Sequence, residues 1–223
     1  MSKASTGSSA GWRRDRDMAL LSGWFLGRSP SLRLQGGQVY LRRPIRGDWA
    51  EWAQLRAESS DFLRPWEPSW TGDALSRGAY RRRLQRYDVD WRNDEGYSFF
   101  IFGSDDDRLL GGIGLSNLRR GVAETASIGY WIGLPHARQG YMAEALGLLL
   151  GYAFDRLGLH RIEAACLPSN APSRNLLAKL RFREEGHAKR YLCIDGRWQD
   201  HVLHALLAEE WHAATAGRPL VIV

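Results

Sequence analysis

The chain has 223 residues, 44% of them hydrophobic and 25% charged, the balance of a globular protein with one sizeable core. Its formal net charge of +6 is spread along the sequence and selects no class of partner, and its two cysteines, Cys166 and Cys193, sit in apolar strand-like runs that imply neither a disulfide framework nor a metal site. No apolar run reaches the roughly 18 to 20 residues that cross a bilayer, which argues against a membrane anchor.

Residues 1–30 are expected to form a flexible N-terminal extension, the small and charged side chains of 1–17 offering no face to pack. Within them, 18–27 is apolar but short and broken by Ser22 and Gly23. Asp15 and Asp17 precede it among arginines and no small-x-small cleavage pattern follows, so it reads as neither anchor nor secretory signal, and a cytoplasmic location is expected. One α/β domain is expected over 31–211, followed by a tail over 212–223.

The first strand signal spans 38–43 and ends at Pro44. Asp48 is then placed to cap a helix in which Trp49, Trp52, Ala53 and Leu55 recur at helical spacing. Pro65 and Pro68 make 62–70 a loop, and 72–91 follows as a long Arg-rich helix carrying Leu75, Tyr80, Leu84 and Tyr87. Its Arg77, Arg81, Arg82, Arg83, Arg86 and Arg92, interrupted by Asp73, Asp88 and Asp90, read as a solvated face, with docking of ribosomal RNA or an acidic protein as the alternative. Strands at 97–102, 109–115 and 125–132, separated by turn-like runs, predict an antiparallel meander. A helix over 142–157, ended by Gly158, leads into a strand at 161–166 and a helix at 171–180. Strands at 186–194 and 198–207 then flank Asp195 and Gly196, a hairpin turn signal. The order βααβββαβαββ predicts an α/β fold of α+β type, its sheet mostly antiparallel with one parallel step where a helix joins two strands.

Chemistry concentrates in two stretches. The first, 127–146 (SIGYWIGLPHARQGYMAEAL), runs strand, short loop, helix. Backbone N–H groups at a helix N-terminus lack internal partners and carry the positive end of the dipole, so a pyrophosphate can sit there. Gly140 permits close backbone approach, and Arg138 can add a charge-assisted contact. The second places Asn170, Ala171, Pro172 and Ser173 ahead of Leu177, Lys179, Phe182 and Gly186.

Both stretches resemble the GNAT superfamily of N-acetyltransferases. The first is similar to that family's pyrophosphate loop, Q/R-x-x-G-x-G/A, with Ala137 and Met142 at its first and last positions, so that only backbone donors carry over. The second is similar to N-x-x-S-x-x-x-x-x-K-x-G-F-x-x-x-G, with Arg181 in place of the glycine before Phe182. Residues 63–68 (LRPWEP) and 186–201 (GHAKRYLCIDGRWQDH) resemble the RimJ/RimL branch, so the resemblance covers 38–207. It implies a GNAT fold, a mixed and mostly antiparallel seven-stranded sheet flanked by about four helices. It also implies transfer of acetyl from acetyl-coenzyme A to a primary amine by direct attack in a ternary complex, with no metal. The favoured acceptor is the N-terminal α-amine of a protein such as a ribosomal protein. The alternatives are a small amine (an amino acid, polyamine or aminoglycoside) and a non-catalytic coenzyme A-binding or ribosome-associated module. The implied partners are coenzyme A and a protein N-terminus, with nucleic acid met only through the ribosome, no membrane, and a monomer or homodimer.

The same resemblance assigns coenzyme A binding to Tyr130, Trp131, Ile132, Arg138, Gln139, Gly140, Tyr141, Met142, Ala143, Asn170 and Ser173. In the family the fourth strand is bulged and splays from the fifth, which implies free N–H groups near Trp131 and Ile132 and a tunnel walled by Tyr130 and Trp131. Ser173 is the candidate proton donor, with Tyr191 the alternative. The glutamate that the RimL branch carries on its penultimate strand is replaced by Leu192. Glu67 is therefore the candidate to bind or deprotonate the amine, with Glu124 and Asp200 as further carboxylates. An N-terminal amine, with a pKa near 7.7 to 8.0, is partly neutral at physiological pH and a lysine near 10.4 is not, so a weak base favours an α-amino acceptor.

Overall fold

The structure, a computed structural model, describes residues 32–215 and 221–222; the extension expected over 1–30 lies outside them. The hairpin of β1 (Arg33–Gln35) and β2 (Val39–Arg42) is followed by α1 (Trp49–Glu58), the single turn α2 (Ser60–Leu63), a 3-10 turn over Arg64–Trp66 and α3 (Arg77–Asn93). The meander β3 (Tyr97–Gly103), β4 (Leu109–Arg119) and β5 (Thr125–Ile132) comes next, then α4 (Tyr141–Gly151), β6 (Arg161–Cys166) and α5 (Ala171–Lys179). The chain closes with β7 (Arg183–Ile194), β8 (Arg197–Leu207), α6 (Ala208–Thr215) and the two-residue β9 (Val221–Ile222).

These strands make one sheet in the order β7-β8-β6-β5-β4-β3-β2-β1-β9. Every pairing is antiparallel except β5 with β6, the parallel step expected where α4 joins two strands. The expected seven strands and about four helices are exceeded. Eight strands lie between Arg33 and Leu207 with β9 added at the β1 edge, and six α-helices occur among the described residues. The extra elements are short. Residue 211 lies inside α6, and the β1·β9 pair joins residues 221–222 to the sheet. No helix among the described residues is long and apolar enough to cross a membrane.

The sheet is buried on both faces, which is why YSFFIF at 97–102 reads as a continuous apolar run rather than an alternating one. Phe99 and Ile101 face a core built with Leu146, Leu149 and Leu150 of α4 and Leu177 of α5. Phe100 and Phe102 face the opposite way, against Trp52 and Leu55 of α1 and Tyr80 of α3. Tyr80 is 1% exposed and donates its hydroxyl to the Ile45 carbonyl at 2.9 Å, so its ring is buried without an orphaned polar atom.

Two local expectations change. Asp48 precedes α1 but makes no side-chain cap; its carboxylate takes a two-pronged ion pair from Arg42 (2.7 and 2.9 Å) and the Ile45 N–H (2.8 Å), stronger partners than an orphan helix donor. The Arg-rich helix begins at Arg77, because Ser76 caps it by accepting from Ala79 N, and its end is set by Asp94 in the left-handed region. Cys193 is exposed on the edge strand β7, while Cys166 is buried; both are free thiols.

Candidate active site

Strand β5 pairs with β4 along its length but meets β6 only where Thr125, Ala126 and Ser127 face Arg161, Ile162 and Glu163. Beyond Ser127 the two parallel strands part, since Ala164 to Cys166 pair with β8 alone. The β6-facing edge of β5 from Ile128 to Ile132 therefore has no strand partner, and its backbone groups are available to an extended ligand lying in the opening. The ladder irregularity expected near Trp131 and Ile132 lies elsewhere, between Ser116 and Arg119 on the β4 side, where Asn117 adopts φ 52°.

The loop after β5 turns through a 3-10 segment at Leu134–His136 and reaches α4 by way of Arg138 (φ 63°) and Gly140 (φ 89°). The first intrahelical donors are Ala143 N and Glu144 N, both to the Gly140 carbonyl (3.0 and 3.2 Å). The N–H groups of Gln139, Gly140, Tyr141 and Met142 have no protein acceptor among the described residues, and no side chain caps this end of α4. The Gln139 amide donates to the Pro135 carbonyl at 2.7 Å and braces the loop, while Arg138 remains exposed. Glu144, the acid of the first turn, is occupied by the Gly37 and Gln38 N–H groups of the β1–β2 turn. A ring of free donors at the positive end of a helix, with its one nearby carboxylate already bound, fits a pyrophosphate.

Gly140 is needed for its left-handed φ rather than for space, because a Cβ there meets nothing within 4 Å. Gly140→Val is expected to cost the loop about 1–3 kcal/mol of backbone strain, and so to weaken coenzyme A binding about tenfold by isothermal titration calorimetry.

Helix α5 opens with Pro172 in its first turn and Asn170 as its cap, whose side-chain oxygen accepts from Ser173 N at 3.1 Å. That cap fixes Ser173, and its Oγ lies 2.7 Å from the hydroxyl of Tyr130 on β5. Burial pushes the Tyr130 phenol up to about 12, so it remains protonated across the physiological range. Sequence reading placed Tyr130 and Ser173 among the binding residues without joining them, since they are 43 positions apart. Tyr191, the alternative donor, is exposed on β7 with its ring edge-on to His201 at 5.7 Å.

The candidate carboxylates are all engaged. Glu67 receives two hydrogen bonds from Arg56 (2.8 and 2.5 Å) and one from the Trp70 indole (2.9 Å), and its carbonyl accepts from Asp195 N in the β7–β8 turn (3.0 Å). The Arg56 side chain is 9% exposed and sandwiched between the rings of Trp70 (4.3 Å) and Trp131 (4.9 Å). Glu124 is tied to Arg120 and to Gly121 N at the opposite end of β5 from Ile132, and Asp200 accepts from Arg190 N. Sequence reading did not single out Arg56. Its signal was present: position 56 continues the Trp49, Trp52, Ala53 stripe by one more turn, and an arginine on a buried stripe requires an acid.

On the α1/α3 side of the sheet these residues border a groove of about 750 Å³. Its floor crosses three strands through Ser98 and Phe100 of β3, Gly112 and Gly114 of β4, and Gly129 of β5. Arg56, Glu67 and Trp70 stand on one side, α3 on another, and Tyr130 and Trp131 join it to the opening beside β5. The glycine floor makes the room. A Cβ at Gly112 would meet the Trp131 indole nitrogen at 2.4 Å, whereas one at Gly129 meets nothing within 4 Å.

The family model of the acetyltransferase (GNAT) domain matches residues 38–183. The probable N-acetyltransferase YjcK of Bacillus subtilis is 37% identical over 174 residues, 78% of this chain and 96% of the relative. The [ribosomal protein uS5]-alanine N-acetyltransferase of Escherichia coli is 35% identical over 189 residues, 85% of this chain and 96% of the relative. Among solved structures, Mycobacterium smegmatis RimJ in complex with CoA-disulfide superposes with a TM-score of 0.74 at 36% identity, covering 81% of this chain and 87% of that one.

Proposed function

The chain belongs to the acetyltransferase (GNAT) family and is an acetyl-coenzyme A-dependent N-acetyltransferase, and from that premise we propose that it acetylates the N-terminal α-amine of a protein in the cytoplasm, a ribosomal protein being the favoured acceptor. One observation carries this reading. The groove that meets the β5 opening holds no free carboxylate, because its two acids, Glu67 and Asp73, are already bound to Arg56 and Arg82. Polyamines, aminoglycosides and lysine arrive protonated and need an anionic pocket; an α-amine arrives partly neutral and does not. The activity stated in the name of the Escherichia coli relative, on the alanine of a ribosomal protein, points the same way.

Acetyl-coenzyme A supplies the activated acetyl group. The free N–H groups over Gln139 to Met142 hold its pyrophosphate, and the free edge of β5 near Trp131 and Ile132 aligns the pantetheine arm and polarises the carbonyl. Asn170 sets the first turn of α5. Ser173 Oγ returns a proton at the sulfur, with the Tyr130 hydroxyl behind it. Glu67 orders Arg56 rather than taking a proton, and the amine loses its proton to solvent.

Because a thiol near pKa 8.5 leaves readily, Ser173→Ala and Tyr130→Phe are each expected to lower kcat only about tenfold. The double variant should be no slower than the slower single one, since both act through one hydrogen bond. The rate should rise as the α-amine deprotonates, through about pH 8, and stay level to about pH 10, because the raised phenol keeps its proton; a fall well below pH 10 in wild type that Tyr130→Phe removes would contradict this. The reading itself is tested with a peptide bearing one free α-amine and one lysine. The expected product carries a single acetyl group on the α-amine by fragment mass, and modification of the lysine alone would overturn it.

A further inference from the structure

The arginines of α3 divide between two surroundings. Arg77, Arg81 and Arg92 lie outside the groove, whereas Arg82, Arg83 and Arg86, neighbours at helical spacing, line it, Arg82 and Arg86 exposed and Arg83 half-buried. The groove thus holds four arginines, Arg56 included, against two carboxylates. Each carboxylate is satisfied within the fold: Glu67 by Arg56, and Asp73 by Arg82 at 2.6 Å and the Thr71 hydroxyl at 2.8 Å. Arg83 has only neutral contacts, the Tyr87 hydroxyl at 3.2 Å and the face of Trp52, and Arg86 has no carboxylate partner among the described residues. Two positive charges are therefore left over on the α3 wall.

The distance across the floor says where those charges fall on an acceptor. Helix α3 packs on β3, and the floor runs from β3 through β4 to β5. Two interstrand steps are about 10 Å, the length of about three extended residues. A chain whose amine lies at the β5 edge then carries its third to fifth residues past Arg83 and Arg86. We propose that this groove selects acceptors in which the N-terminal amine is followed, at about the third to fifth residue, by aspartate or glutamate read by Arg83 and Arg86. The same positive field disfavours a protonated amine and so favours the reactive form. The inference rests on the α-amine reading above and adds its sequence preference.

The test is steady-state kinetics on peptides of identical N-terminal residue carrying Glu, Gln or Lys at positions three to five, with wild type and the Arg83→Glu/Arg86→Glu double variant. Wild type is expected to fall about tenfold in kcat/KM from the Glu to the Lys series, through KM rather than kcat, with the difference shrinking at high salt. The double variant should reverse the order while its coenzyme A affinity stays unchanged. Acetylation of α-amines at rates indifferent to these charges would overturn the preference and leave the α-amine reading standing. Absence of any peptide turnover would overturn both. Salt-sensitive RNA binding lost in the double variant, with peptide kinetics unchanged, would assign the arginines to nucleic acid instead.

Discussion

Replacing Glu67 with alanine is expected to destabilise the protein by about 3 kcal/mol or more, because it strands the Arg56 guanidinium in a nearly closed site. Both partners of the pair are largely buried, with side chains 9% and 20% exposed, so solvent cannot replace the lost carboxylate cheaply. The same carboxylate also holds the Trp70 indole, and the Glu67 carbonyl anchors the β7–β8 turn through Asp195 N, so the damage is expected to spread to the groove. In a chain of this size the change corresponds to a fall of very roughly 6–12 °C in melting temperature. Glu67→Gln keeps the shape and two of the contacts and should lose less stability and little kcat. The opposite pattern, a Glu67→Gln variant of wild-type stability with kcat reduced a hundredfold, would make Glu67 the catalytic base.

Gly129→Leu is expected to lower kcat/KM by about 10²-fold or more while coenzyme A affinity and melting temperature change little. The neighbouring floor glycines cannot be used for this test. A side chain at Gly112 runs into Trp131, and one at Gly114 meets the Tyr97 carbonyl at 2.8 Å, so either would disturb the sheet. Gly129 has open space above it and lies on the groove side of β5, next to the residues that join the groove to the opening. A leucine there occupies the acceptor's path without touching the α4 loop, and misplacing a reactant by about 1 Å is enough to cost about 10²-fold. Unchanged kinetics would mean that the acceptor enters by another route.

The sequence made the centre of the fold legible and its margins less so, for reasons of local strength. Strands β5 and β6 occupy the positions read from their apolar pattern, and the turn at Asp195 and Gly196 has the two positive φ angles, 45° and 75°, that the dipeptide favours. By contrast, β1 has three residues, too few to show a period. It is held by pairing with β2 and by Glu144 gripping Gly37 and Gln38, a contact more than a hundred positions away in the chain. Asp48 had the local chemistry of a cap, and Arg42 outcompeted the helix for it. The start of α3 was blurred because Leu75 reads as part of the apolar pattern of Tyr80, Leu84 and Tyr87, and the Ser76 cap decided it.

The site divides in the same way. The α4 N-terminus was readable because a strand, a glycine and a helix follow one another within a few residues, so the donors converge locally. The Tyr130–Ser173 contact and the groove depend on β5 parting from β6 and on α3 lying over β3, and no spacing along the chain encodes either. The arginines of α3 illustrate the limit. Composition marks them all as solvated, and only the packing of the helix separates the three that line the groove from the others.

The most direct measurement is thiol release from acetyl-coenzyme A with the intact protein, comparing peptides of varied N-terminal residue with free lysine, polyamines and aminoglycosides, and locating the acetyl group by product mass. The account predicts turnover on peptides, with the acetyl group carried on the α-amine, and little on the polycations. Turnover confined to the small amines, or coenzyme A binding with no thiol release on any acceptor, would contradict it.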